Sequence, residues 1–177
     1  MYPMPVLIVA TYGEDGTPDA MNAAWGCISD SNQVSLYLSA GHQTVQNLLR
    51  RGAFTVSMAD AAHVAEADYV GLVSGRDVPD KLARAGLHTV SSSFVDAPLI
   101  EELPLAMECR LIRYDRETEQ AIGEIVNVSA DERILDEQGK IDPSRLCAIA
   151  FDPANHAYLK LGEKVGNAFS DGARFQS

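Results

Sequence analysis

The stretch DAMNAAWGCISD, residues 19–30, contains the only tryptophan of the chain, and most of its neighbours are small. A strand that only packs against a core favours branched and aromatic residues, because these fill a pleated surface better. Small residues instead allow the backbone to come close to a flat molecule. The composition therefore raises the question of what the backbone approaches beside Trp25, where Ala23, Ala24 and Gly26 are its small neighbours.

The positive charges of this acidic chain are concentrated in one region. The formal net charge is −11, and residues 1–49 contain no lysine or arginine. If the protein holds an anionic ligand, the region that follows is the expected source of cations, and the alternative is a set of charges on a solvated helix face. Five of the fourteen basic residues lie there, namely Arg50, Arg51, Arg76, Lys81 and Arg84.

Motifs of enzymes that carry their own catalytic groups are absent from the sequence. It contains no GxGxxG, no GxxxxGK[ST] and no GxSxG, which argues against the usual dinucleotide fingerprint, a P-loop and a nucleophile elbow. The four histidines occur singly and the three cysteines form no CxxC pair, so no metal site is predicted. The adjacent Glu101 and Glu102 face different directions on most backbones, which argues against a catalytic pair. The chain is therefore either not an enzyme or takes its reactivity from a cofactor.

The hydrophobic pattern predicts the elements that position these residues. Helices are expected over residues 44–52, 61–75 and 78–86. Regular alternation of strand and helix is missing, which favours a mainly antiparallel β-barrel with a few inserted helices, as one domain over residues 1–177. Six to eight short strands are expected among residues 5–13, 20–29, 33–39, 53–59, 105–115, 119–130, 146–152 and 156–162.

Composition limits the partners and the compartment. The net charge of −11 repels nucleic acid and anionic membranes, so neither is expected as a partner. The sequence has no apolar run long enough to span a bilayer, and its first residues lack the basic start of a secretory signal. With three scattered cysteines, these features indicate a cytoplasmic protein.

Seven segments, in order and at matching spacing, resemble the flavin reductase-like FMN-binding proteins, a family that includes flavoredoxin. The resemblance implies a split β-barrel that binds FMN non-covalently, as a homodimer with the flavin near the subunit interface. The segments are PVLIVAT…DGTPDAMNAAWG, TVQNLL…AFTVSMA, ADYVGLVSGRDVPDKLARAGL, DAPLIEELPLAMEC, IGEIVNV, DEQGKID and YLKLGEKVGNAFSDG.

The resemblance also implies which residues hold the flavin ring. The strand from Asn22 to Ser29 would lie beside the isoalloxazine, where the backbone of Ala23 and Ala24 can reach its polar edge. Donors aimed at the N1 and C2 carbonyl region stabilise the negative charge of reduced flavin. Trp25 would pack against the ring or the dimer seam, and the alternative for it is a place in the core.

Two segments match the family's phosphate-binding positions. SGRDVPDK leads into the first turn of a predicted helix, where free N–H groups and the helix dipole favour an anion. GHQTVQN is a second helix start with polar side chains. The alternative for Lys81 and Arg84 is a solvated helix face. The candidate phosphate ligands are Ser74, Gly75, Arg76 and Lys81 in the first segment and His42, Thr44 and Asn47 in the second.

Several positions depart from the family pattern. Asp19 stands where Asn is common, Asn22 where Thr or Ser is common, and Ser57 where Asn is usual. None of these changes removes a charge from the expected phosphate site. They leave open how the edge of the flavin ring is hydrogen-bonded, and so the reduction potential.

Two functions of different kinds follow from the resemblance. The first is an NAD(P)H-dependent flavin oxidoreductase, with hydride transfer to flavin N5 and no catalytic side chain. The second is a flavoredoxin-like electron carrier that receives electrons from a redox partner protein and uses nicotinamide poorly. An oxidase acting on a phosphorylated pyridine substrate ranks below both, because the register of the motifs fits the flavin reductase-like group.

Overall fold

The structure, a computed structural model, describes residues 2–176 as three antiparallel sheets connected by loops and short helices. In these residues no helix is long and apolar enough to cross a membrane. The α-helices are α1 (Gln43–Arg51), α2 (Val64–Leu72), α3 (Lys81–Arg84) and α4 (Pro143–Leu146), with 3₁₀ turns at Glu132–Ile134 and Asp171–Phe175. The strands are β1 (Met4–Pro5), β2 (Leu7–Tyr12), β3 (Pro18–Ala23), β4 (Gly26–Asp30), β5 (Gln33–Tyr37), β6 (Ala53–Met58), β7 (Thr89–Ser91), β8 (Pro98–Ile100), β9 (Leu105–Asp115), β10 (Gln120–Ala130), β11 (Ile149–Asp152) and β12 (Ala157–Lys160).

The largest sheet has the strand order β3-β2-β6-β9-β10-β5-β4 and curls back on itself. Its two end strands, β3 and β4, are connected only by Ala24 and Trp25. The three residue steps from Ala23 to Gly26 span at most about 11 Å, whereas in a flat sheet of this order the end strands would lie about 29 Å apart. The sheet therefore forms a barrel with a seam between β3 and β4. The predicted mainly β fold with a few inserted helices is confirmed.

Strand β2 is buried on both faces and separates two apolar clusters. Leu7 and Val9 belong to the cluster inside the barrel. Ile8 and Ala10 belong to a second cluster, which includes Val70 of α2. A strand covered on both sides has no solvent-facing positions, which explains its almost unbroken apolar sequence.

The strand predicted over residues 20–29 is wrong in one respect, because the chain bends at Ala24 and Trp25 and forms two strands. The reason lies at Gly26, where an added Cβ would be 2.5 Å from Leu36 Cδ2 and 2.9 Å from Leu7 Cδ1. Glycine is typical of tight bends at barrel corners. The small size of Gly26 therefore serves the packing of the barrel and not the approach of a ligand.

Helix α1 packs into the barrel, and its prediction over residues 44–52 is confirmed. Val45 and Leu48 are buried in the cluster inside the barrel. Gly52 ends the helix in a left-handed conformation with φ 67°, and its N–H donates to Leu48 O at 2.9 Å. Because one face of α1 is held in the barrel, the position of its first turn relative to β3 is fixed.

The predictions agree with the structure for long elements and differ from it for short ones. The long strands β9 and β10 match their predictions over residues 105–115 and 119–130. The helix predicted over residues 78–86 shrinks to the four residues of α3, and Pro79 lies before it. Strands β7 and β8, three residues each, are too short to show alternation.

A buried carboxylate on β9 is held by neutral donors. Glu108 is fully buried and accepts hydrogen bonds from Asn127 Nδ2 at 2.7 Å and from the hydroxyls of Ser129 and Ser92. Burial raises the pKa of Glu108, but these hydrogen bonds outweigh it and hold the pKa below its ordinary value. Ser92 also accepts from the backbone N–H groups of Phe94 and Val95, so Glu108 anchors the loop that follows β7.

We expect Glu108→Gln to lower the free energy of unfolding at pH 7 by about 1–3 kcal/mol. The glutamine side chain has an NH₂ group in place of one carboxylate oxygen, and this donor would face groups that themselves donate to Glu108. A pKa lowered by folding stabilises the protein above the unfolded pKa of about 4.3, and this stabilisation is lost as the pH falls through the folded pKa. Urea unfolding should therefore show that the difference in free energy of unfolding between the unchanged protein and Glu108→Gln becomes smaller toward pH 3. Glu117→Gln, at an exposed turn, is the control. A difference that does not change with pH would contradict this account.

Candidate functional site

A cavity of about 670 Å³ lies along the seam of the barrel, and its size is typical of small-molecule sites. We call it the main cavity. Its walls are the end of β3 with the following bend (residues 21–25), the start of α1 (41–44), the end of α2 with the following loop (70–77), and side chains that include Tyr37, Lys81, Phe151 and Tyr158.

The wall formed by β3 presents backbone to the cavity. As an end strand of its sheet, β3 leaves alternate N–H and C=O groups without a strand partner. Ala23 and Ala24 cover this edge with methyl groups only, which keeps the backbone within reach of a ligand. The Trp25 side chain is 62% exposed and lines the cavity mouth, so it is not a core residue.

Asn22 connects the β3 wall to α2 by a side-chain hydrogen bond. Its Nδ2 donates to Ala67 O at 3.2 Å. The helix can approach because of Gly71, where an added Cβ would lie 2.1 Å from Asn22 Oδ1. The side chain of Asn22 is thereby turned toward α2, and it contributes to the site by spacing the two walls.

The start of α1 opens onto the main cavity. Gly41, His42, Gln43 and Thr44 line it. His42 is the N-cap residue, and its side chain makes no capping hydrogen bond. The N–H groups of the first turn of an α-helix lack helical acceptors and carry the positive end of the helix dipole. This turn therefore offers an anion several donors at one end of the cavity.

A buried ion pair connects the walls. Asp19 on β3 is 5% exposed, and Lys81 is 2% exposed. Lys81 Nζ lies 3.0 Å from Asp19 Oδ1 and donates to Val70 O at 3.2 Å and Val73 O at 3.1 Å. Asp19 Oδ2 accepts from Thr44 Oγ1 at 2.6 Å. One carboxylate and one ammonium group thus join β3, α1 and the end of α2.

This geometry changes the interpretation of two predicted phosphate ligands. Lys81 is neither on a solvated face nor extended toward solvent, because three acceptors surround its ammonium group. The hydroxyl hydrogen of Thr44 is likewise directed at Asp19. Helix α3 is only four residues long, so it offers an anion less of a helix dipole than the predicted helix over residues 78–86 would. We interpret Lys81 and Thr44 as residues that position the walls.

The other predicted cations are mostly engaged elsewhere. Arg50 pairs with Glu14, Arg51 with Asp96 and Arg84 with Asp80. Arg76, which lines the main cavity, has no carboxylate within 4.0 Å among residues 2–176. Arg76 is therefore the cation of this region that remains available to a ligand.

Aromatic residues from β11 and β12 complete the cavity. The rings of Phe151 and Tyr158 pack with centroids 6.0 Å apart, and Tyr158 Oη donates to Asp68 Oδ1 at 2.6 Å. Burial, together with the Asp68 carboxylate, raises the pKa of Tyr158 to about 12. The phenol therefore stays neutral near pH 7 and serves as a fixed wall.

Most of the predicted site residues are brought together. Asn47 lies outside the main cavity, in a neighbouring hollow, where its Oδ1 accepts from Gln43 Nε2 at 2.9 Å. Ser29 is exposed on β4, away from both hollows. Sequence reasoning missed Phe151, Tyr158 and Gly71, whose roles depend on contacts with distant segments. The predicted site residues that line the main cavity are Asn22, Ala23, Ala24, Trp25, His42, Thr44, Ser74, Gly75, Arg76 and Lys81.

Known proteins share this architecture. Flavoredoxin of Desulfovibrio vulgaris (Miyazaki F) superposes with a TM-score of 0.93 and 38% identity, over 97% of this chain and 94% of that chain. The FMN-binding domain of a flavin reductase-like enzyme from Shewanella baltica OS155 has the same fold, with a TM-score of 0.82, 20% identity, and coverage of 92% of this chain and 88% of that one.

Sequence comparison agrees with the structural similarity. An uncharacterized protein of Aeropyrum pernix is 29% identical over 114 residues, which are 63% of this chain and 43% of that protein, so the match spans less than half of the relative. Residues 1–150 match the family described as flavin reductase like domain. The resemblance predicted from the sequence motifs is confirmed, and the chain belongs to the flavin reductase-like domain family.

Proposed function

We propose that this protein binds FMN non-covalently in the main cavity and acts as a flavin-dependent redox protein. The observation that carries the proposal is the different chemistry at the two ends of one cavity. Where β3 ends beside α2, the lining consists of backbone edge, small side chains and the aromatic residues, and where Asp19 contacts Thr44 and adjoins Gly75, it consists of the first turn of α1 and the loop that carries Arg76. FMN has the same division, a flat ring at one end and a phosphate at the other. The similarity to flavoredoxin over nearly the whole chain supports this cofactor.

The ring end suits a flavin. The backbone of Ala23 and Ala24 would meet the polar edge of the ring, and donors there stabilise the negative charge of a reduced flavin. Tyr158 and Phe151 add aromatic surface to the cavity lining, against which a flat ring can pack. Bound FMN would supply the redox chemistry by accepting electrons from one reactant and passing them to another. The protein then contributes position and environment, and no side chain has to act as an acid or base.

The phosphate end suits an anion. The N–H groups of Gln43 and Thr44 and the guanidinium of Arg76 would hold the phosphate, with Ser74 and the backbone at Gly75 beside them.

We expect Arg76→Ala to weaken FMN binding about tenfold, or about 1.5 kcal/mol, and to leave riboflavin binding unchanged. The value is at the low end for a charge-assisted hydrogen bond because Arg76 is exposed. Fluorescence titration of apoprotein with each flavin measures both affinities. The control is Arg84→Ala, since Arg84 is exposed and pairs with Asp80. Equal losses for FMN and riboflavin would show that the phosphate lies elsewhere.

Two electron donors fit the proposed function. One is NADH or NADPH, which would reduce the flavin if the protein acts as a flavin reductase, the activity that the family description names. A carrier like flavoredoxin takes electrons from a protein partner, and the 38% identity to flavoredoxin favours this second function.

The first experiment is the absorbance spectrum of the purified protein, with the released chromophore identified by mass. FMN supports the proposal, and a colourless protein that takes up no added FMN contradicts it. Anaerobic addition of NADH or NADPH then separates the two functions. Rapid bleaching of the flavin supports the reductase, whereas bleaching only by a reduced redox protein supports the carrier.

A further inference from the structure

A short loop, residues 38–42, leads from β5 into the first turn of α1. We call it the α1 loop. His42 N–H donates to Ser39 O at 3.1 Å, which closes a turn just before the helix. Gly41 and His42 line the main cavity. The position of the α1 loop therefore decides how the chain enters the helix end that faces the cavity.

Four hydrogen bonds join the α1 loop to the end of the hairpin formed by β9 and β10. Tyr114 Oη donates to Leu38 O at 2.7 Å, and Leu38 N–H donates to Glu119 O at 2.9 Å. The carboxylate oxygen Oε1 of Glu119 accepts from Ala40 N–H at 3.0 Å and from Ser39 Oγ at 2.9 Å. These last two hydrogen bonds lower the pKa of Glu119, so its side chain is ionised near pH 7.

The backbone at Glu119 is in the left-handed region, with a φ of 56°. Glycine adopts this conformation freely, whereas a residue with a Cβ adopts it at a cost in stability. In the part of the chain that the structure describes, the Glu119 carboxylate makes hydrogen bonds only with Ser39 and Ala40 of the α1 loop. The contact with the loop therefore accounts for a glutamate at a position whose backbone favours glycine.

The packing of α1 does not by itself fix the loop that precedes it. The helix is held in the barrel through Val45 and Leu48, which follow the loop. Gly41 is exposed, and its N–H makes no hydrogen bond among residues 2–176. This N–H group is available to an anion in the main cavity only while the loop keeps its place. Glu119 holds the residue just before it, Ala40.

The negative charge of Glu119 is not required for this contact. An amide oxygen can accept the same two hydrogen bonds as a carboxylate oxygen. In addition to the hydrogen bonds from Ala40 and Ser39, the charge of His42 lowers the pKa of Glu119, so the carboxylate lies close to a residue of the main cavity. A negative charge near an anion weakens its binding. The contacts of Glu119 and its charge should therefore act in opposite directions on a bound phosphate.

We infer that Glu119 is a positioning residue for the phosphate of the bound flavin, because its side chain holds the α1 loop at the edge of the main cavity. The inference rests on the proposed function for the identity of the anion. Glu119 does not line the main cavity, so it acts through the loop and not on the ligand. Its role differs from that of the pair of Asp19 and Lys81, which holds the helix itself through Thr44.

Two variants of Glu119 test the inference by flavin binding. Glu119→Gly removes the side chain and suits the left-handed backbone, so the turn should keep its fold. We expect it to weaken FMN binding about tenfold and riboflavin binding less than about twofold. Glu119→Gln keeps an acceptor for Ser39 and Ala40 and removes a negative charge, so its FMN affinity should equal or exceed that of the unchanged protein.

Fluorescence titration of apoprotein with each flavin measures these affinities. The control is Glu117→Gln, which removes the same charge from the same turn at an exposed position, and which should leave both affinities unchanged. An FMN affinity that Glu119→Gly does not lower would overturn the inference. Equal losses of FMN affinity in Glu119→Gly and Glu119→Gln would also overturn it, because the acceptor would then have no effect.

Amide hydrogen exchange in apoprotein tests the α1 loop without a flavin. Ala40 N–H donates to Glu119, so its exchange rate reports this contact directly. We expect Glu119→Gly to raise that rate about tenfold and Glu119→Gln to leave it near its original value. An unchanged rate in Glu119→Gly would refute the role of Glu119. If the rate rises as expected but the unchanged protein binds no FMN, the proposed function fails and only the ordering of the loop by Glu119 stands.

Discussion

Replacing Lys81 by methionine is expected to lower the free energy of unfolding by about 3–5 kcal/mol and to abolish binding of FMN and riboflavin alike. The change leaves the buried carboxylate of Asp19 without its cation. It also removes the donor to the carbonyls of Val70 and Val73, at the end of α2. Loss of these contacts frees one wall of the main cavity from the other.

The comparison of the two flavins separates positioning from direct binding. A lysine that contacts the phosphate would affect FMN and spare riboflavin, and its removal would have little effect on stability. A lysine that positions the walls affects both flavins and the free energy of unfolding together. Urea unfolding of apoprotein and titration with both flavins measure these quantities. If Lys81→Met lost affinity for FMN alone and kept its free energy of unfolding, Lys81 would be a ligand of the phosphate and not a positioning residue.

Asp19→Asn is the matched variant for this pair. The amide oxygen of asparagine can still accept from Thr44 or Lys81, so a smaller loss of about 1–2 kcal/mol is expected. The resemblance to the family supports this expectation, because Asn is common at the position of Asp19. If Asp19→Asn lowered the free energy of unfolding as much as Lys81→Met, the negative charge of Asp19 would hold the walls together, and not its ability to accept hydrogen bonds.

The case of Lys81 shows what sequence patterns predict and what they miss. Its positive charge and its position in SGRDVPDK predict a phosphate ligand, and in the structure Lys81 lines the main cavity. Its role depends on Asp19, which lies far away in the sequence and is brought close only by the packing of α3 against β3. A pattern within one segment carries no information about such a partner. The same holds for Tyr158, whose partner Asp68 is on α2.

The fold was predictable where elements are long and periodic. Strands β9 and β10 are eleven residues long each and pair with one another, and α1 has an apolar face and a terminal glycine. The bend at Ala24 and Trp25 was not predictable, because it depends on Leu7 and Leu36 filling the space beside Gly26. Helix α3 is held by tertiary contacts rather than by its length, since four residues are too few for a stable isolated helix.

Gly75→Ala is expected to weaken FMN binding about a hundredfold, or by about 3 kcal/mol, with a smaller effect on riboflavin. An added Cβ at Gly75 would lie 2.3 Å from Asp19 Oδ1 and 2.7 Å from Asp19 Cγ. Asp19 cannot turn away without breaking its contacts with Thr44 and Lys81, at 2.6 and 3.0 Å. The loop that carries Arg76 must therefore move away from the start of α1, and the two halves of the phosphate site separate.

Gly41→Ala is the control for this prediction. Gly41 lines the same cavity, but an added Cβ there meets no atom within 4 Å. Fluorescence titration with both flavins should show an affinity close to that of the unchanged protein for Gly41→Ala and a large loss of FMN affinity for Gly75→Ala. If Gly75→Ala binds FMN normally, the loop after α2 does not hold the phosphate, and the anion must rely on α1 alone. If both alanine variants lose affinity equally, the cavity is sensitive to any added methyl group, and the contact of Gly75 with Asp19 is not the cause.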